Sequence, residues 1–83
     1  MTRKEIETKV NAIFADVTNT DIEEIDIHSS IFGQQGLDEF DIMDVLLGLD
    51  KEFSTALLGN DEIDLYSLTV EGLYDIVEQE INK

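Results

Sequence analysis

Carboxylates dominate the chemistry available to this chain. Twenty aspartates and glutamates stand against five lysines and arginines, one histidine and no cysteine in 83 residues. Without cysteine there is no thiolate nucleophile, disulfide framework or cysteine zinc site. The single imidazole, His28, cannot form a histidine pair. A Ser-His-Asp set exists in composition, but nothing around His28 supports it, and a solvated or capping histidine is expected there. A calcium loop needs alternating acids and a glycine at its sixth position. The runs starting at Asp16 and Asp21 carry Asp21 and Asp26 at that position instead. Gly33-Gln34-Gln35-Gly36 lacks the lysine and spacing of a phosphate-binding loop. Paired carboxylates serve as acid and base only in a cleft that shifts their pKa values, and a helical chain this short offers little cleft. The residues therefore point to binding rather than catalysis.

The formal charge is −15. Phosphate backbones and anionic membranes should repel such a chain, so neither nucleic acid nor membrane is expected as a partner. A basic protein surface is. Self-repulsion should lower stability, so salt should raise it, and a monomer is expected. The apolar fraction of 42% suffices for a core despite the charge. No apolar run approaches the ~20 residues of a membrane span, and Met1-Thr2-Arg3-Lys4-Glu5 does not begin a signal peptide. A cytoplasmic protein with one domain over residues 1–83 is the expectation. The charge is uneven: no basic residue lies between Lys9 and Lys51.

The elements that would position these groups are helical. Thr2-Arg3-Lys4-Glu5 reads as a capping box. Ile6, Val10, Ile13, Phe14 and Val17 follow on one face of a helix over about residues 3–17. Thr18-Asn19-Thr20-Asp21 ends it, since such side chains compete for backbone hydrogen bonds. Residues 21–37 keep no helical period, and their isoleucines predict a long loop pinned to the core with a short helical turn. Asp38 caps the clearest helix, about 39–53, whose first turn carries Glu39 and Asp41 where the helix dipole favours negative charge. Residues 60–66 are predicted as a short helix capped by Asn60 or Asp61. Thr69 or Ser67 opens a last helix whose core stripe is Val70, Leu73, Val77 and Ile81. No segment reads as a strand, so a small all-α four-helix bundle is expected.

The helix at 39–53 has two apolar stripes. Ile42, Val45, Leu46, Leu49 and Phe53 form one, and Phe40, Met43 and Leu47 form another, rotated by roughly 140°. Docking in a small bundle needs only one. The second, flanked by Asp44 and Asp50, has the form of an interaction surface, with Met43 as an adaptable contact. The alternative is that both stripes are core.

These residues resemble the acyl carrier protein family. The resemblance runs from Ile31-Phe32-Gly33-Gln34-Gln35-Gly36-Leu37-Asp38-Glu39-Phe40-Asp41-Ile42-Met43-Asp44 to Gly48-Leu49-Asp50-Lys51-Glu52-Phe53. That family has a loop ending in Gly-x-Asp-Ser-Leu, then an acidic helix ending near Leu-Glu-x-x-Phe. Leu68-Thr69-Val70-Glu71-Gly72-Leu73 resembles the start of its last helix, and the order of elements agrees over nearly the whole chain. The resemblance implies a four-helix bundle with three longer helices, one short helix and a long first loop. It implies docking on enzymes of fatty-acid, polyketide or nonribosomal peptide-type biosynthesis. It further implies a partner-docking face of Phe40, Asp41, Met43, Asp44, Leu47 and Asp50. Lys51 departs from the acid frequent in the family.

The largest departure is Glu39. The family carries 4′-phosphopantetheine on a serine directly after the motif aspartate, which Asp38 matches. A serine hydroxyl attacks the pantetheine-bearing phosphorus of coenzyme A, and a carboxylate cannot form that phosphodiester. No cofactor is expected at Glu39. Ser29 and Ser30 lie upstream, Ser54 and Thr55 beyond the helix, and Ser67 follows Tyr66 instead of an aspartate. Three accounts of Glu39 stay open: favourable first-turn charge in a degenerate carrier, imitation of the phosphate charge of a loaded carrier, or a deliberate replacement. The other functional class consistent with the residues is an acidic helical adaptor or inhibitor unrelated to thioester chemistry.

Overall fold

The computed structural model describes residues 1–83 as three α-helices joined by long irregular segments, with no β-sheet. Helix α1 spans Arg3–Thr18. Its first turn closes as the capping box predicts: the Glu5 amide donates to Thr2 Oγ1 at 3.2 Å, and the Thr2 amide to Glu5 Oε1 at 3.1 Å. Asn19 ends it in a left-handed conformation, φ 54°. Ile6, Val10 and Phe14 are buried, whereas Val17, expected on the same face, is exposed.

Helix α2 spans Glu39–Phe53 and α3 spans Val70–Ile81. Asp38 Oδ1 accepts from the amides of Phe40 and Asp41 at 3.0 and 3.1 Å, and Asp41 accepts from the Asp38 amide at 2.9 Å, a reciprocal cap built from two aspartates. Thr69, not Ser67, caps α3, its hydroxyl accepting from the Gly72 amide at 2.9 Å. Helix α1 packs against both others. At its crossing with α2 the Ile13 and Val17 side chains pack over Gly48, where a Cβ would lie 3.0 Å from Ile13 Cγ2 and 3.3 Å from Val17 Cγ2.

One cluster of 16 buried apolar residues forms the core, with no polar residue among the buried ones. The stretch before α2 contributes Ile25, Ile31 and Leu37, so this long loop is pinned by its apolar residues as expected. It contains two 3-10 turns, Ile22–Glu24 and Gln34–Gly36. The Gln34 side chain ties it together, donating to the carbonyls of Asp26 and Ser30 at 3.0 and 2.8 Å and accepting from the Asp26 amide at 2.9 Å. Backbone bonds from Ile31 to the Leu68 carbonyl and from Glu71 to the Ile27 carbonyl fasten it to the start of α3. Gly33 and Gly36 adopt φ of 90° and 77°, backbone that favours glycine.

The short helix expected at 60–66 does not form; the segment is a run of turns. Asn60 Oδ1 takes the Glu62 amide at 2.9 Å as an N-cap would, but Asp64 Oδ1 takes the Tyr66 amide at 3.0 Å, a donor that a helix continuing through 66 would have used. Tyr74 joins the α3 stripe unexpectedly, 4% exposed, with its hydroxyl bonded to Asn11 of α1 and its ring 5.5 Å below the Arg3 guanidinium. Arg3 also bonds Asp75 at 2.7 Å and Glu78 at 3.2 Å, bridging α1 to α3. No helix is long and apolar enough to cross a membrane.

Candidate functional site

The structure separates the two stripes of α2. Ile42, Val45, Leu46 and Leu49 are buried and Phe53 is half-buried against the core, while Phe40, Met43 and Leu47 are 67%, 38% and 41% exposed. A helix packed on one side buries one stripe, and α2 leaves the other in solvent. At 3.6 residues per turn, Lys51 continues this exposed strip one turn beyond Leu47.

The acids assigned to its rim differ in their duties. Asp44 is exposed and Glu39 half-exposed at the first turn. Asp38 and Asp41 are exposed and half-buried, each committed through its carboxylate to the α2 cap. Asp50 is committed further. Its carboxylate accepts from the Thr55 hydroxyl at 2.6 Å and from the amides of Leu57 and Leu58 at 2.7 and 3.0 Å. It holds the chain as it leaves α2, a duty its spacing alone did not reveal. Asp44 and Glu39 are the strip-flanking carboxylates outside such bonds.

Sequence reasoning missed a recess of about 240 Å³ beside the strip. Met43 and Leu46 of α2 form one wall, Leu57, Leu58, Ile63 and Leu65 form the other, and Asn60 and Asp61 complete the lining. The available signal was four large apolar residues within an otherwise polar stretch. It also missed an edge-to-face pair, Phe32 and Tyr66, with centroids 5.0 Å apart and both rings exposed.

Charge sharpens the picture. Of the five cationic residues, Arg3, Lys9 and Lys83 are engaged in ion pairs with acids, which leaves Lys4 and Lys51. The exposed face of α2 is therefore acidic, with Lys51 near its end and Lys9 of α1 reaching Glu52 there at 3.4 Å. His28 is exposed, its Nδ1 lies 3.2 Å from Glu71, and its amide donates to Asp26. The Ser29 hydroxyl and the His28 amide hold the Asp26 carboxyl below its usual range. No three His, Asp or Glu side chains converge in a metal-binding arrangement.

The position after Asp38 offers a carboxylate on a helical turn, with no hydroxyl, and does not fit a phosphopantetheine attachment. Ser54 is the left-handed residue ending α2, and Ser67 donates to the Asp64 carbonyl at 3.4 Å. Neither stands at a helix start behind an aspartate. No family model, curated protein or solved structure matches the chain.

Proposed function

We propose that this chain is an acyl-carrier-like docking module. It lays the exposed strip of α2 on a basic surface of an enzyme of fatty-acid, polyketide or nonribosomal peptide-type biosynthesis. It acts by binding, and it carries no 4′-phosphopantetheine at Glu39. The observation that carries this reading is the solvent-exposed Phe40, Met43 and Leu47 on the helix that Asp38 caps. The long pinned loop ending Gly36-Leu37-Asp38 and the Thr69-capped α3 further support it. The fourth, short helix that this reading implies would fall within the turns at 60–66, where the chain forms no helix.

Mass spectrometry tests the reading. Incubation with coenzyme A and a broad-specificity phosphopantetheinyl transferase should leave the intact mass unchanged. Glu39→Ser should gain the mass of one phosphopantetheine arm. A gain on the unaltered chain overturns the cofactor statement, and peptide mapping then names the hydroxyl used. A folded Glu39→Ser chain that gains nothing favours the second reading, an acidic adaptor outside thioester chemistry, to which the Glu39 carboxylate is equally suited.

A further inference from the structure

The recess beside α2 has the properties of a preformed socket. Asp50 fixes the Leu57 and Leu58 amides, the Leu57 carbonyl accepts from the Asn60 amide at 3.1 Å, and the Asn60 carbonyl accepts from the Ile63 amide at 3.2 Å. The outer wall is thus held by hydrogen bonds before anything binds, which lowers the ordering cost of an occupant. Leu58 remains 41% exposed, so the recess opens to solvent. Met43 belongs to both the strip and the recess and so joins them, while Asn60 and Asp61 give the recess a polar edge. At about 240 Å³ the recess is smaller than the ~300–1,000 Å³ of ordinary small-molecule sites. It suits a single large side chain, the usual form of an interface anchor.

Charge selects what brings that side chain. Asp44, Asp61 and Glu62 are exposed on the elements around the recess, against Lys51 alone on α2. A second copy of the chain would add another −15, and an anionic lipid head would meet the same acids. We infer that the recess takes one bulky apolar side chain, aromatic by preference, from a lysine- and arginine-rich protein segment lying along the α2 strip. This rests on the docking reading above and adds its anchor point.

The test uses the full chain with methyl-labelled leucine, isoleucine and methionine. The probes are a helical peptide of lysines and arginines around one tryptophan, the same peptide with alanine for tryptophan, and decanoate. The tryptophan peptide should shift the methyl resonances of Met43, Leu57, Leu58 and Ile63. It should bind at least about tenfold tighter than the alanine peptide, the worth of one buried aromatic side chain. Leu58→Asn should abolish that advantage and leave the Leu47 shift in place. Equal affinity of the two peptides, with Leu47 still shifting, overturns the socket and leaves the docking strip standing. Socket shifts without a Leu47 shift leave the socket and overturn docking along α2. Occupation of the recess by decanoate in preference to the peptide overturns the cationic partner. The peptide comparison needs no variant, so a misfolded Leu58→Asn chain does not spare the inference.

Discussion

Leu47 and Leu49 lie two positions apart on α2, so replacing each with alanine removes the same atoms from the same helix. Any difference between the two must come from burial. Leu49 is fully buried, and its truncation loses the transfer free energy and leaves a cavity, about 2–4 kcal/mol together. Leu47 is 41% exposed and gives up only part of the ~1.5–3 kcal/mol of a fully buried side chain. Alanine's better helix propensity returns a few tenths, so the net loss at Leu47 is about 0.5–1 kcal/mol. For 83 residues a total stability of ~4–12 kcal/mol is typical, so Leu49→Ala removes a large share of it and Leu47→Ala does not. Urea unfolding followed by far-UV circular dichroism measures both. Ionic strength must be held constant, because a net charge of −15 makes stability depend on salt. The midpoint should fall much further for Leu49→Ala at a common urea dependence. Equal losses would mean that both stripes are core, and the docking surface would have to be abandoned.

Three further outcomes follow from particular contacts. Gly48→Val should destabilise by about 1–3 kcal/mol, because its side chain must displace Ile13 or Val17 at the α1–α2 crossing. Gly48→Ala should cost less, since a helix-propensity gain of ~1 kcal/mol opposes the crowding, and thermal melts rank the pair. Asp50→Ala strips the Leu57 and Leu58 amides of their acceptor, and should cost about 1–3 kcal/mol. It should also speed amide exchange at 57–58; unchanged exchange there would show that Asp50 does not hold the loop. The Asp26 carboxyl is held below its usual range in the folded chain, so its contribution is present above the unfolded carboxyl's ordinary value, about pH 4, and is lost as pH falls through the folded value. Asp26→Asn should therefore be less stable than the unaltered chain near neutrality, and the gap should close in acid. A gap independent of pH would contradict this linkage.

The helices were legible because their signals are local. The Thr2–Glu5 box, the Asp38 cap and the apolar period after each depend on residues within a turn or two. The pinned loop was legible too, since isoleucines at 25, 27 and 31 have little reason to stand in solvent. The segment at 60–66 misled because Asn60 makes the bond of a helix cap while Asp64, four residues on, takes the Tyr66 amide into a turn, and local sequence does not say which arrangement the neighbouring core rewards. Val17 and Tyr74 misled for a related reason. Periodicity says which residues share a face but not how far that face is covered by the helices packed against it.

By itself the sequence determined that the chain folds as helices, where α1 and α2 begin, that its surface is strongly acidic, and that the residue after Asp38 is a carboxylate. Covalent chemistry settles that last point whatever the fold. Only the tertiary structure decided which stripe of α2 faces solvent, because burial is set by which neighbours arrive from elsewhere in the chain. Only it turned Asp50 from a rim acid into the group that holds Leu57 and Leu58. And only it brought Met43 and Leu46 against Leu57, Leu58, Ile63 and Leu65, residues up to 22 positions apart that form a recess once the chain folds back along α2.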